Sequence, residues 1–443
     1  MKLFKRWPYG CALLTLLWSV AANVLAEPLQ LAQAERLAVR QEPGMVAHQL
    51  RAQALREEAL AVSDWPDPEL IAAMANLPLD SFDRERDPIT QLQLGVRQRL
   101  PRAGELQALS EDFQARSSAM DAQAEWRRLQ VLRQLRQSWL DWVYQYQRGQ
   151  LWRRVAATDE ERLAASLSAY SNGLTSLAEL QQARVRPLND REQILQAEQA
   201  AAAAEALVWQ WLPALGETIV EQTAPPGPPT SPARFSASQL ATEWPQWPEP
   251  PAVETLIAAL PQHPRLRILQ AQASAAEAQI AVAESRYHPA LTIEAGYGLR
   301  SGSDPFGRSR SDLGTLRVTL DLPWFGGKRL DARLRAARDQ EAAVTGETLA
   351  LQRQWAAAIR AEAQRYQHLQ QRLDLYTHDL LPLRQQQSAA AGEAYRSADG
   401  SILDYLSSQR EALQSRLLAL EVRYQQALSR IELAYLGTEE FLP

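Results

Sequence analysis

The sequence predicts a mainly α protein with a small β part, assembled from two tandem copies of one half. Three observations carry that reading. A strand that ends in proline and glycine and opens into a long helix occurs twice, landmarks outside that motif recur at nearly the same spacing, and both long helical stretches carry a coiled-coil seam. In the second copy of the motif, Leu316, Val318, Leu320 and Leu322 alternate with Arg317, Thr319 and Asp321, the period of two of a half-buried strand. Pro323 stops the ladder because proline has no N–H to donate. Gly326 and Gly327 permit a sharp bend. The first copy, Leu94, Val96, Gln98, Leu100, Pro101 and Gly104, lies 222 residues earlier (323 − 101). Pro43 and Pro264, Leu70 and Leu291, and Gly216 and Gly437 are each 221 apart, and Tyr170 and Tyr395 are 225 apart. Ordered pairs at almost one spacing imply a duplication of roughly 220 residues.

The 443-residue chain has a net charge of −5 and 46% hydrophobic residues. Residues 1–26 read as a secretory signal: Lys2, Lys5 and Arg6 precede an apolar stretch from Cys11 to Trp18, and Val24-Leu25-Ala26 suits cleavage. Loss of those three cations takes the mature charge to −5 − 3 = −8, which disfavours a nucleic-acid partner. Cys11 is the only cysteine, so the mature chain has neither disulfides nor thiolate metal sites. No later apolar run reaches the length of a membrane-spanning helix.

The first repeat is expected over 27–216, a proline-rich linker over 217–252 and the second repeat over 253–443. Residues 30–62 read as a helix interrupted near Pro43. Strands follow at 69–77 and 91–100, the first poor in apolar residues, the second with Leu92, Leu94, Val96 and Leu100 on one face and Gln93, Arg97 and Arg99 on the other. A helix runs from Glu105 to about Ser168, and Leu132, Leu135, Trp139, Trp142 and Tyr146 follow a 3-4 spacing along it. A return helix spans about Leu174 to Trp211. In the second repeat a helix covers Val253 to Arg286. Leu291 to Leu299 and a segment from Thr315 are strands, and a helix runs from Lys328 to about Tyr395 with the seam Tyr366, Leu369, Leu373, Tyr376, Leu380 and Leu383. Pro382 should kink it. The last helix covers about Ser401 to Leu436. At 1.5 Å per residue each long helix is about 100 Å, and two shorter helices end to end match that span. The linker would then lie beside their junction.

Four amphipathic strands cannot close a barrel, for which about eight is the practical minimum, and an open sheet edge cannot sit in lipid. Three chains supply twelve strands, enough for a closed transmembrane barrel with a lumen, extended outside the membrane by the helices. Trp324 and Phe325 fall at a strand end, where an interfacial aromatic belt would lie.

With the duplication, the Pro-x-x-Gly junctions at Pro101–Gly104 and Pro323–Gly326 and the helical hairpins in view, the chain resembles the TolC-like outer-membrane factors. The first hairpin, Tyr170-Ser171-Asn172-Gly173-Leu174-Thr175-Ser176, is similar to that family's Gly-Leu-x-Thr/Ser tip. The second, from Tyr395 through Gly400 and Ser401 to Leu406, departs from it, because its glycine comes two residues later. The resemblance implies a homotrimer with a twelve-stranded outer-membrane barrel and a periplasmic α-barrel. It also implies a periplasmic adaptor docked at the tips and an inner-membrane pump, of RND type. Pro66-Asp67-Pro68-Glu69-Leu70 and Phe325-Gly326-Gly327-Lys328-Arg329 resemble the branch paired with metal-exporting pumps. Glu179 and Asp404 each follow a tip serine by three residues and are the candidate aperture residues. The resemblance supports Asp404 as an aperture position, and Ser407 stands where the family has its next acid.

No nucleotide loop, Gly-x-Ser-x-Gly or His-Glu-x-x-His motif is present. His368 and His378 are ten residues apart on one helix and do not share a face, so no metal or cofactor is expected. The sequence thus points to a passive export duct rather than an enzyme. The alternative is a periplasmic coiled-coil adaptor or scaffold, which would carry one helical hairpin and short strands in place of two strand pairs.

Overall fold

The computed structural model describes residues 28–40, 42–212 and 240–437. The expected signal sequence, with its expected cleavage near Ala26, and residues 217–239 of the expected linker lie outside them. Helices α1 (Leu31–Arg40) and α2 (Pro43–Ala61) lead to strands β1 (Glu69–Ala75) and β2 (Gln91–Leu100). Helix α3 (Glu105–Ser171) and the return helix α4 (Leu177–Trp209) complete the first half. The second half has α5 (Val253–Ala259), a 3₁₀ turn at Leu260–Gln262, α6 (Pro264–Ser285), β3 (Ala290–Leu299) and β4 (Leu313–Asp321). It ends with α7 (Gly327–Asp374), a π-helical turn at Leu375–Leu380, α8 (Leu381–Arg396) and α9 (Ile402–Leu436).

Two expectations about helix continuity change. The helix expected over Val253–Arg286 is split, because Pro261 and Pro264 each remove a backbone donor and His263 caps α6 in extended conformation. The helix expected from Lys328 onward contains the π turn just ahead of Pro382. A proline ring clashes with the carbonyl four residues back, and one wide turn accommodates it. The seam fades there: Leu369 is buried, whereas Leu383 is exposed. In α3 the seam holds through Leu132, Leu135, Trp139 and Trp142, all buried, whereas its last member, Tyr146, is exposed.

The chain packs as two compact units, each drawing on both repeats. Among the described residues, one takes 28–40, 135–212, 240–246 and 372–425; the other takes 42–134, 247–371 and 426–437. In the first, Tyr144 stacks on Tyr424 at 4.4 Å, and buried Arg136 donates to Glu35 at 2.7 Å. In the second, Leu129, Leu256, Leu266, Ile359 and Leu433 form the core. His263 lies against it, edge-on to Trp355 at 4.4 Å.

The second unit also holds the sheet, four antiparallel strands in chain order β1-β2-β3-β4. Its register aligns Leu70, Val96, Ala295 and Leu316 in one row. Period two sends the whole row to one face, where Leu70 and Leu316 are 80% and 75% exposed. The adjacent row, Glu69, Arg97, Glu294 and Arg317, falls on the other face and alternates in charge. Arg97 bonds Glu69 and Glu294, each at 3.1 Å, and Arg317 bonds Glu294 at 3.2 Å. The sheet therefore has one apolar face and one ion-paired face. Among the described residues no helix is long and apolar enough to cross a membrane.

Candidate functional site: hairpin tips and strand-to-helix junctions

The first tip joins α3 to α4. Gly173 adopts φ +73, the left-handed conformation that ends helices most cheaply in glycine. The amides of Leu174 and Gly173 turn back to the carbonyls of Ala169 at 2.8 Å and Tyr170 at 3.0 Å, the double bond of a Schellman cap. Leu174 is 80% exposed. Ser176 then caps α4, accepting from the Glu179 amide at 3.3 Å while the Ser176 amide donates back to the Glu179 carboxylate at 3.0 Å. The Thr175 hydroxyl donates to the same carboxylate. These bonds, Thr175 foremost, hold Glu179 below the usual carboxylate range. Glu179 is exposed at the surface, yet its charge is already engaged by its own helix start. The Ser-x-x-Glu spacing signals this capping box.

The second tip repeats the geometry with different residues. The amides of Asp399 and Ala398 turn back to Ala394 at 2.9 Å and Tyr395 at 3.2 Å. Ala398, at φ +62, fills the left-handed position, 225 residues after Gly173 as Tyr395 is after Tyr170. The glycine two places on, Gly400, serves packing instead: a Cβ there would come within 3.0 Å of the Ala394 side chain. The Ser401 hydroxyl accepts from the Leu403 amide at 3.1 Å, so Asp404, one methylene shorter than Glu179, does not close a capping box. Asp404 is exposed and acts on Arg162 of α3, whose pKa burial and Arg186 lower and Asp404 raises. Arg162 also reaches the Ser407 hydroxyl and, at 3.4 Å, the Leu403 carbonyl. Glu179 and Asp404 are equivalent in sequence but have different partners.

One group near the tips escaped the sequence reading. Arg410 of α9 bonds Asp190 of α4 at 3.1 and 3.2 Å and pairs with Asp159 of α3. Both acids are buried. Burial pushes Asp190 up to about 6 against the opposing charge of Arg186. These residues are 220 or more positions apart across the pairing, and local spacing carries no signal for it.

The two strand-to-helix junctions are less alike than their sequences. After Pro101, Gly104 takes φ +76, and Arg102 bridges Asp321 at 2.9 Å and Glu105 at 3.7 Å. After Pro323, neither Gly326 nor Gly327 is left-handed. The turn closes through the Gly326 amide to the Pro323 carbonyl at 3.1 Å. Trp324 and Phe325 stand exposed there, Phe325 completely.

Residues 256–437 match the outer membrane efflux protein family. Among curated proteins, none matches the chain. The fold is similar to that of CusC, with a TM-score of 0.68, 17% identity and coverage of 95% of each chain. It is similar to the outer membrane protein VceC from Vibrio cholerae, with a TM-score of 0.68 and 16% identity over 92% of this chain and 96% of that one. It is also similar to the CmeC outer membrane channel of Campylobacter jejuni, with a TM-score of 0.67 and 15% identity over 93% of this chain and 86% of that one.

Proposed function

Taking the chain as a TolC-like outer-membrane factor, we propose that it is the passive exit duct of a tripartite efflux or secretion system. The observation that carries this reading is the four-stranded sheet with an exposed apolar face and two unpaired edges, β1 and β4. Open edges are not tolerated in lipid. Three copies joined edge to edge give twelve strands, enough for a closed barrel with a lumen. The apolar face then meets lipid, the ion-paired face lines the duct, and the helices extend into the periplasm. The signal sequence, cut near Ala26, delivers the chain across the inner membrane. The hairpin tips, Tyr170–Ser176 and Tyr395–Ser401, dock a periplasmic adaptor. An inner-membrane pump of RND type chooses the cargo. Glu179 and Asp404 form the acidic aperture, and rings of carboxylates favour cations. The scaffold alternative does not account for a sheet that exposes a whole apolar face.

Crosslinking in purified outer membranes tests the assembly: a trimer is expected, and a soluble periplasmic monomer overturns it. Gly173→Trp should still yield the assembly, at the lowered stability its left-handed backbone implies, and abolish export. In planar bilayers, Glu179→Ala and Asp404→Ala should each weaken cation preference, with Asp404 the larger effect because Glu179 is held by its own cap.

A further inference from the structure

At the foot of the sheet, on its ion-paired face, lies a cleft of about 620 Å³ lined by Arg99, Arg102, Arg286, Arg329 and Arg333. Two carboxylates, Glu105 and Asp321, share the lining, and Arg102 engages both. The other four arginines have no carboxylate partner among the described residues. The lining therefore carries five positive charges against two negative, 5 − 2 = +3, in a chain whose net charge is −5.

Ordinary causes do not account for this concentration. Arg286 follows the end of α6, where a helix C-terminus favours a cation. The positive N-terminal end of α7 disfavours Arg329 in its first turn, and Arg333, four residues on along the same face, makes with it a like-charge pairing that costs helix stability. Arg99 is fixed at the foot of β2, opposite Thr292, two residues from Arg97 and so on the same face. The exposed Phe325 ring also borders the cleft. Planar guanidinium groups converging on an open cleft match the paired oxygens of phosphate or carboxylate, and the adjoining ring suits an apolar portion of an organic anion.

We infer that this cleft is an anion-binding site for solutes bearing phosphate or carboxylate groups. The inference rests on the duct reading for its location: if the ion-paired face lines the lumen, three copies form a basic collar opposite in sign to the acidic aperture. It rests on one chain alone for its binding chemistry.

The test is titration calorimetry of purified detergent-solubilised protein with pyrophosphate, followed by bilayer recording. Binding is expected in the wild type and in Arg84→Gln, a surface control. Arg329→Gln/Arg333→Gln should weaken it tenfold or more, since each charge-assisted contact contributes at the level of a tenfold change in affinity. In bilayers, pyrophosphate should block the wild-type current, and the double variant should require at least tenfold more. Absence of wild-type binding, or equal binding in the double variant, overturns the site. Pyrophosphate binding that vanishes in phosphatidylglycerol nanodiscs but survives in phosphatidylcholine ones identifies a lipid headgroup as the occupant and overturns the luminal assignment. Binding without any conducting channel upholds the site and removes the duct reading instead.

Discussion

Ala398 holds a left-handed backbone conformation that costs a residue with a Cβ about 1–2 kcal/mol, at the place where the first tip uses Gly173. Ala398→Gly should therefore stabilise the hairpin by about 1 kcal/mol, partly offset by the greater freedom of glycine in the unfolded chain. It should raise the temperature at which the assembled protein dissociates, whereas Gly173→Ala should lower it. His263 carries the clearest pH dependence. It is fully buried, with one ring nitrogen against the Tyr435 carbonyl at 2.9 Å and the other accepting from the Arg265 amide at 3.1 Å. The pattern requires the neutral ring, and burial lowers its pKa to about 4 despite the Tyr435 carbonyl. The unfolded chain takes up the proton first, so this contribution is complete above about pH 6.5 and is lost as the pH falls toward 4. The loss amounts to about 3 kcal/mol. The imidazole resonances of His263 should stay in the neutral form down to about pH 5.

Among the elements, α3, α4 and α9 are tied by Arg410 between Asp159 and Asp190. Arg410→Met leaves two buried carboxylates without their cation, at a cost of about 3–5 kcal/mol. The cost should be largest at neutral pH and shrink below about pH 6, where Asp190 protonates; melting curves at pH 7.5 and pH 5 compare the two. The same elements mark what the sequence made legible. Strand alternation and the α3 seam are local periodicities, and they located β2, β3, β4 and the long helices within a few residues, whereas β1, poor in apolar residues, carries little alternation. The split at Pro261 and Pro264 and the π turn before Pro382 were less visible, because how the backbone accommodates a proline depends on what packs around it. At the candidate site, the glycine pattern pointed to both tips. It did not reveal that Ala398 rather than Gly400 turns the second one, since the sequence shows which residue can adopt a conformation, not which one must.

For the whole molecule, the two faces of the sheet make opposite predictions. Leu316→Arg puts a charge on the apolar face, where lipid should exact about 2–4 kcal/mol near mid-depth. It should sharply reduce the protein recovered in outer membranes. Thr315→Arg, one residue away on the polar face, should be recovered normally. Equal recovery of both variants would count against a lipid-facing apolar surface.

The pairing of β2 with β3 is a contact between the two repeats, so in a trimer it serves as a template for the contact between β4 of one copy and β1 of the next. Gly95 faces Gly296. Moving the first forward by 222 and the second back by 221 sets Arg317 (95 + 222) opposite Ala75 (296 − 221) of the neighbouring copy. The charged row that begins at Glu69 therefore does not close on itself. It winds upward by six residues (75 − 69) with each copy, the stagger that tilts the strands of a closed barrel. The row of ion pairs becomes a spiral stair inside the wall. If the proposed cut near Ala26 removes Cys11, an Ala75→Cys/Arg317→Cys variant should form disulfides between copies. A Glu69→Cys/Arg317→Cys variant, about 20 Å out of step, should not.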